Sequence, residues 1–251
     1  MRIIISPAKK MNVNTDTLSP ASVPHYIGEA DAIREWMRGL SYAELKKLWG
    51  CNETIAAQNY ERVRGWDLHR NLTPAILSYE GIQYQYMAPA VFEKRMLAYV
   101  QEHLKILSGF YGVLRPMDGI VPYRLEMQAK AKPQDAADLY AYWGDKIYRE
   151  VTDGAHIIIN LASKEYSKCV EKYLRPGDIF ITCVFGELSG DKVVQKGTYA
   201  KMARGEMVRF LAEHGITDHE SVKKFDRMDY RYSETYSTER EYVFLREKTI
   251  V

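Results

Sequence analysis

The chain has 251 residues, which is enough for one large domain with a sizeable hydrophobic core. Hydrophobic residues make up 46% of it and charged residues 27%, as is ordinary for a soluble globular protein. The formal net charge of +2 argues neither for nor against a nucleic-acid partner, so any such binding must come from local clustering of the 35 Lys and Arg residues.

Cysteine and histidine usage narrows the possible kinds of site. Cys51, Cys169 and Cys183 lie far apart and lack CxxC spacing, which argues against a disulfide framework and a structural zinc site. The six histidines are dispersed, with no HxH or HxxxH pair, so we predict no metal site, and we also predict no cofactor. No apolar run is long enough for a signal peptide or a membrane span, so we expect a cytoplasmic location and no membrane partner.

The first half of the chain alternates between strand and helix patterns. The β-branched run at residues 2–6, ended by Pro7, predicts a buried strand. Ser41 with Glu44 three residues later is a capping box that begins a helix. Gly109 stands where a helix C-cap glycine belongs. The further predicted elements are helices at 29–38, 53–64 and 90–108, and a strand at 75–79.

The second half continues the mixture. Gly190 and Asp191 suggest a hairpin turn, and Thr217 with Glu220 forms a second capping box. Helices are predicted at 139–151 and 199–214, and strands at 156–163, 179–185 and 242–245. Together these elements indicate a single domain over residues 1–251 of the α/β or mixed α+β class, with a mixed β-sheet flanked by helices.

The segment LSGFYGVLRPMDGIVPYRLEM, Leu107 to Met127, carries the densest chemical signal. Its glycines, among them Gly109 and Gly112, permit positive φ or close backbone approach. Arg115 and Arg124 are planar donors suited to phosphate or carboxylate. We interpret the segment as a site for an anion, which is either nucleic acid or a small substrate.

Three further motifs place cations beside glycine, proline or a helix start. Lys9 follows the first strand directly, and ligands gather at the carboxyl ends of strands in α/β sheets. Ser163 is a natural N-cap, at a helix start whose amides attract anions. Lys201 and Arg204 lie three apart on one helix face, next to Gly205, whose presence implies close approach of a ligand or of another part of the protein.

Each motif also has a purely structural interpretation. Lys9 could be a solvated loop residue, Ser163 a simple cap, and Gly205 a packing glycine. Arg124 and Glu126 would point to the same side of a strand, where they could pair with each other. Alternatively, Arg124 binds an anion and Glu126 acts as an acid, a base or a metal ligand. If Lys9, Arg115, Arg124, Lys201 and Arg204 converge, they form a strongly cationic site suited to a phosphate-bearing ligand.

Five stretches of the chain resemble the peroxide stress protein YaaA family. They are ISPAK from Ile5, the Leu107 to Met127 segment, LYAYWGDKI from Leu139, INLASKEY from Ile159 and AKMARG from Ala200. The resemblance implies a cytoplasmic bacterial protein of the hydrogen peroxide response that limits free iron. It also implies DNA binding by an unusual α/β fold with a basic cleft and a helix-hairpin-helix-like element, which we map onto Leu107 to Leu114. The resemblance carries no catalytic residue with it.

Two functional hypotheses follow. In the first, double-stranded DNA contacts hairpin amides and a basic cleft, and binding limits iron-driven oxidative damage; its residues would be Lys9, Gly109, Tyr111, Gly112, Arg115, Arg124, Ser163, Lys201 and Arg204. In the second, an enzyme acts on a small phosphorylated or nucleotide-like ligand, with catalytic candidates Lys9, Arg124, Glu126 and Lys201. A deep pocket holding these side chains favours the enzyme, and an open groove of duplex width favours DNA.

Overall fold

A mixed sheet of eight strands organises the computed structural model, which describes residues 1–247. The strands of the described chain are β1 (Arg2–Ile5), β2 (Lys10–Met11), β3 (Thr73–Pro74), β4 (Tyr79–Glu80), β5 (Leu104–Ser108), β6 (Gly112–Leu114), β7 (Gly119–Ile120), β8 (Ile157–Asn160), β9 (Ile179–Ser189), β10 (Lys192–Val194), β11 (Tyr230–Tyr232) and β12 (Glu241–Arg246). Its α-helices are α1 (Ile27–Arg38), α2 (Tyr42–Trp49), α3 (Glu53–Gly65), α4 (Ala75–Ser78), α5 (Ile82–Met87), α6 (Lys94–His103), α7 (Leu139–Trp143), α8 (Lys146–Thr152), α9 (Lys164–Glu171) and α10 (Gly197–His214). The predicted α/β class with a mixed sheet is confirmed.

The sheet has a parallel centre and antiparallel edges. Its strand order is β11-β12-β9-β8-β1-β5-β6, and β10 pairs with β9. The pairs β1–β5, β1–β8, β8–β9 and β9–β12 are parallel, whereas β5–β6, β9–β10 and β11–β12 are antiparallel. Ile3, Ile4 and Ile5 of the central strand are fully buried, as a strand covered on both faces requires.

The topology creates a crevice at the carboxyl ends of β1 and β8. After β1, the next parallel strand in sequence, β5, lies on one side of it, whereas β8 lies on the other side and leads on to β9. The chain therefore reverses its direction of travel across the sheet between these two adjacent strands. Ligands of open α/β sheets bind in the crevice outside the carboxyl ends at such a switch point.

Local sequence signals set several element boundaries. The predicted capping box is present, because the Ser41 side chain accepts from the Glu44 amide and the Glu44 side chain accepts from the Ser41 amide. Gly190 turns the chain from β9 into β10 with a φ of 59°. Helix α10 extends over the predicted 199–214 region and ends at Gly215 in the left-handed conformation. No helix of the described chain is long and apolar enough to cross a membrane.

Four predicted elements differ from the structure. Residues 75–78 form the short helix α4 rather than a strand. The helix predicted at 139–151 is broken at Gly144, and residues 220–224 form a 3-10 helix without a capping box. Helix α6 ends at His103, and residues 104–108 form the buried strand β5. A short continuous apolar run does not by itself distinguish a buried strand from a buried helix, and pairing with β1 decides the outcome here.

The segment mapped as helix-hairpin-helix-like, Leu107 to Leu114, lies in an antiparallel β-hairpin formed by β5 and β6. Its turn is inside the protein, because Phe110 and Tyr111 are fully buried. The amides of both turn residues donate to the Ser108 hydroxyl, at 3.1 and 2.9 Å. These amides are already satisfied within the core, so the element differs from an exposed phosphate-binding hairpin in both its secondary structure and its location.

Candidate functional site

A concave cavity of about 440 Å³ lies at the carboxyl ends of β1 and β8. Five parts of the chain line this strand-end cavity: residues 6–10 after β1, residues 80–84 at the start of α5, residues 123–126, the start of α9, and one face of α10. The cavity brings together the predicted site residues Lys9, Arg124, Glu126, Ser163, Lys201 and Arg204. Residues from distant stretches of sequence therefore converge at the switch point of the sheet.

Gly109 positions the segment that carries Arg124 and Glu126. A Cβ atom at Gly109 would lie 2.6 Å from the carbonyl oxygen of Leu125 and 3.0 Å from the carbonyl carbon of Glu126. The turn of the β5–β6 hairpin thus packs directly on the backbone of the 124–126 segment. Only glycine permits that approach. Gly109 therefore supports the segment that carries the site residues and does not contact a ligand itself.

Gly205 performs the same task for α10. A Cβ at this position would overlap the carbonyl oxygen of Gln83 and would lie 2.9 Å from the amide nitrogen of Met87. The missing side chain lets α10 pack against the backbone of α5. The close approach predicted at Gly205 is therefore that of another backbone and not that of a ligand. This contact holds Arg204 and Gln83 on the wall of the same cavity.

The cavity contains both paired and unpaired cations. Glu126 Oε1 lies 2.9 Å from Lys9 Nζ and 3.6 Å from an Arg124 terminal nitrogen, so the predicted Arg124–Glu126 pair is present. Lys10 is paired with Glu80. Lys201 and Arg204, by contrast, make no hydrogen bond or ion pair with any residue in the described chain. The site therefore keeps positive charge that the protein itself does not neutralise.

Three donor nitrogens of cavity-lining residues are buried without an acceptor: Nε of Arg124, Nε of Arg204 and Nε2 of Gln83. Burial lowers the pKa of Arg204, although an arginine still stays protonated at neutral pH. A buried polar group without a partner costs about 1–3 kcal/mol. The ligand-free protein therefore bears the cost of three such groups in the residues that line one cavity.

Two carboxylates stand among these cations. The pKa of the Glu165 carboxyl is raised, first by burial and further by the charge of Glu126. The Gln128 amide donates to Glu165 Oε1 at 3.2 Å. Glu126 is paired with Lys9. Glu165 is therefore the carboxyl group of the cavity that is suited to carry a proton beside the unpaired Arg204.

Buried tyrosines form another part of the wall. The hydroxyl of Tyr123 lies 2.7 Å from those of both Tyr79 and Ser108. Burial raises the pKa of Tyr123 to about 12, so this phenol is neutral at physiological pH. The Tyr84 hydroxyl donates to the Ser6 carbonyl at 3.0 Å, which anchors the loop after β1. These hydrogen bonds hold one wall of the strand-end cavity in place.

Ser163 occupies the predicted N-cap position of α9, but its side chain accepts no hydrogen bond from the helix. Its amide instead donates to the Ser6 hydroxyl at 2.8 Å, which links the loops that follow β1 and β8. The Asn160 amide group donates to Thr182, and its oxygen accepts from the Ala162 amide, so Asn160 shapes the turn into α9. Ser163 lines the cavity, whereas Asn160 supports it.

Four residues named for DNA or anion contact lie outside the cavity lining. Gly109 and Gly112 are packing positions, since a Cβ at Gly112 would lie 2.8 Å from the Trp143 ring. Tyr111 is fully buried, and its hydroxyl accepts from the Val121 amide, so it is not available for stacking on a base. Arg115 pairs with the buried Asp118 at 3.3 Å and contributes to loop structure.

The sequence patterns did not identify Gln83, Tyr123, Glu165 or Tyr166 as site residues, although all four line the cavity. Gln83 and Tyr123 occupy apolar, tyrosine-rich surroundings that are typical of a core. Glu165 carried one usable signal, because it immediately follows the start of the predicted helix after β8, at the carboxyl edge of the sheet. The other three carried none.

The cysteines bear on any direct reaction with peroxide. Burial raises the pKa of the Cys169 thiol to about 12, with a further contribution from Glu165, and it raises the pKa of Cys183 to about 12 as well. The thiolate is the reactive form, and at these pKa values its fraction at neutral pH is negligible. Within the described part of the chain, no group of three or more His, Cys, Asp and Glu side chains is arranged to hold a metal ion.

We predict that iodoacetamide at pH near neutrality modifies Cys51, which is partly exposed, and leaves Cys169 and Cys183 unmodified in the folded protein. Intact-mass measurement should show one added group per chain in the native state. The same treatment in denaturant, as a control, should label all three cysteines. Rapid native labelling of Cys169 would contradict the assignment of a buried, protonated thiol.

Comparison with known proteins gives a consistent result over nearly the whole chain. The family model described as peroxide stress protein YaaA matches residues 1–236. A UPF0246 protein of Agathobacter rectalis is 57% identical over 246 residues, which cover 98% of this chain and 99% of that protein. UPF0246 proteins of Lachnoclostridium phytofermentans and Pediococcus pentosaceus are 54% and 50% identical, again over 98% of this chain and over 96% and 98% of their own lengths.

Proposed function

Given that this chain belongs to the peroxide stress protein YaaA family, we propose that it serves the peroxide stress response by binding a small phosphate-bearing ligand in the strand-end cavity. Arg204, Arg124 and Lys201 supply the positive charge, and Gln83 supplies an amide donor. A phosphate offers several oxygen acceptors around one centre, which matches donors that converge from separate elements.

The observation that carries this proposal is the unpaired state of Arg204. Its side chain is mostly buried within a concave wall and has no partner in residues 1–247. Keeping a charged group there without a counter-ion is costly, so the arrangement makes physical sense if an anion binds beside it. Sheet topology supports the same location, because the cavity opens at the switch point between β1 and β8.

The carboxylates favour a chemical role for the site in addition to binding. An anion clamp needs cations and amides only, yet Glu126 and Glu165 lie among the cations. The raised pKa of Glu165 gives it a protonated fraction at higher pH than an ordinary glutamate. Glu165 is therefore suited to act as a general acid, which supports the interpretation as an enzyme on a small phosphorylated substrate.

Duplex DNA is the second candidate ligand, and limitation of iron-driven damage would follow from it. The exposed side chains of Lys9, Lys10 and Lys201 at the cavity support this candidate, because they can contact a phosphate backbone from outside. Lys9 and Lys10, however, are already paired with glutamates. A duplex presents its phosphates on a convex surface, for which a mostly buried guanidinium is poorly placed. The small ligand therefore has the stronger support.

The two candidates can be separated in one thermal-shift experiment. We expect pyrophosphate or a nucleoside monophosphate at millimolar concentration to raise the melting temperature, since a ligand that binds only the folded state stabilises it. Lys201→Ala should reduce the shift, whereas Lys192→Ala, which removes a solvent-exposed cation outside the cavity, should leave it unchanged.

Competition with a mixed-sequence duplex at low salt completes the test. If the site takes a small ligand, the duplex neither produces the shift nor displaces the ligand. If the duplex binds with strong salt dependence and Lys201→Ala weakens it, the DNA hypothesis is supported instead. Absence of any anion effect on the melting temperature would reject the small-ligand proposal.

A further inference from the structure

A second cavity adjoins the first and shares a wall with it. This indole groove has a volume of about 640 Å³ and is lined by Trp36, Leu40, Leu48 and Trp49 of the α1–α2 region. Lys9, Arg124 and Glu126 line both the indole groove and the strand-end cavity. The two cavities are therefore neighbouring compartments, with the Lys9–Glu126–Arg124 ion-pair cluster between them.

The chemistry of the two compartments differs. The strand-end cavity offers unpaired cationic donors, whereas the indole groove, which is also lined by Glu44, Lys47 and Lys130, is distinguished by its two indole rings. Trp36 is half-buried, so part of its ring surface is open. The indole N–H of Trp49 is buried and has no acceptor among the described residues. A flat aromatic ring complements such a groove by stacking on the open surface of Trp36.

We infer that the phosphate-bearing ligand is a nucleotide whose phosphate binds in the strand-end cavity and whose base lies in the indole groove against Trp36. This inference rests on the proposed function, because it takes the phosphate position from it. The continuity of the two cavities through Lys9 and Arg124 is what joins them into one site. A purely aliphatic occupant would fill the apolar surface but could not stack on the Trp36 ring.

The test compares three probes by calorimetry: inorganic phosphate, ribose phosphate and AMP. We expect AMP to bind about tenfold more tightly than ribose phosphate, because stacking of a base on an aromatic ring has that magnitude. Trp36→Leu keeps the apolar packing and should remove most of the advantage of AMP while leaving phosphate affinity unchanged. Trp49→Phe replaces the second indole by a smaller ring and should reduce the advantage in part.

Tyr60→Leu is the matched control, because it replaces a half-buried aromatic residue on α3 that lies outside both cavities. It should leave the affinities for all three probes unchanged. Equal affinities for AMP and ribose phosphate in the native protein, or an AMP advantage that survives Trp36→Leu, would overturn the assignment of the base while phosphate binding still stands. If none of the three probes binds, the proposed function itself fails and the inference fails with it.

Discussion

Replacing Arg204 by methionine should strongly weaken anion binding and at the same time make the ligand-free protein more stable. The guanidinium is mostly buried and unpaired, and its Nε has no acceptor, so the folded protein bears the cost of desolvating it. Methionine extends about as far as the arginine Nε and removes that cost, which should raise the free energy of unfolding by about 1–2 kcal/mol. With the guanidinium gone, affinity for pyrophosphate should fall about 100-fold, or about 2.7 kcal/mol.

Calorimetric titration and urea unfolding measure these two effects separately. Arg209→Met is the matched control, because Arg209 lies on the same helix, outside the cavity, and is paired with Glu213 at 2.7 Å. The control should lower stability slightly and leave anion affinity intact. An Arg204→Met protein that is much less stable and still binds pyrophosphate normally would show that Arg204 has a structural role only. A ligand-binding residue is expected to show a loss of anion affinity together with a gain in stability, whereas a packing residue would show a loss of stability alone.

Gly205→Ala should be among the most damaging single-methyl additions to this protein. The new Cβ would overlap the Gln83 carbonyl oxygen, and neither can move aside, because the Cβ is fixed to the backbone of α10 and the oxygen belongs to the backbone of α5. Overpacking of this kind typically costs 1–3 kcal/mol and occasionally more. We expect the upper end, about 3 kcal/mol, and a melting temperature lower by roughly 10 °C for a domain of this size. Anion affinity should fall as well, because α5 and α10 carry Gln83 and Arg204.

Gly28→Ala provides the comparison for Gly205→Ala. Gly28 also lies in a helix, but a Cβ there meets no atom within 4 Å. Alanine in a helix is favoured over glycine by up to about 1 kcal/mol, so this variant should be neutral or slightly more stable. Urea unfolding of the two variants compares the same chemical change with and without a steric neighbour. Equal stabilities would contradict the close packing of α5 on α10.

Most of the cavity's cations could be found from sequence because they stand at recognisable positions. Lys9 follows a β-branched strand, Arg124 lies in a glycine- and proline-rich segment, and Lys201 and Arg204 precede Gly205 on its helix. Glycine, proline and strand ends restrict the backbone locally, so their effect can be inferred without coordinates. The predicted close approach at Gly109 and Gly205 is present, but at both positions it is made by a neighbouring backbone and not by a ligand.

The remaining site residues depended on long-range packing. Gln83 and Tyr123 reach the cavity because α10 packs on α5 and because the 123–126 segment packs on the hairpin turn at Gly109. The hairpin itself shows the same limit. Its glycines predicted a turn correctly, yet burial of Phe110 and Tyr111 turned an apparent phosphate-binding loop into part of the core. Exposure is a property of the assembled fold and cannot be inferred from a few neighbouring residues.

By itself, the sequence determined the α/β class, the family, the positions of most of the longer helices and of strands β1, β8, β9 and β12, and the set of basic residues around which a site would form. These follow from local preferences and from hydrophobic periodicity, which act over a few residues. Only the tertiary structure decided that Arg124 and Arg204 share one cavity and that Arg115 and Tyr111 do not. That outcome depends on strand order, since the placement of β8 beside β1 brings the loops after both strands to a single edge of the sheet. Local sequence patterns do not encode strand order, because it results from the packing of the whole chain.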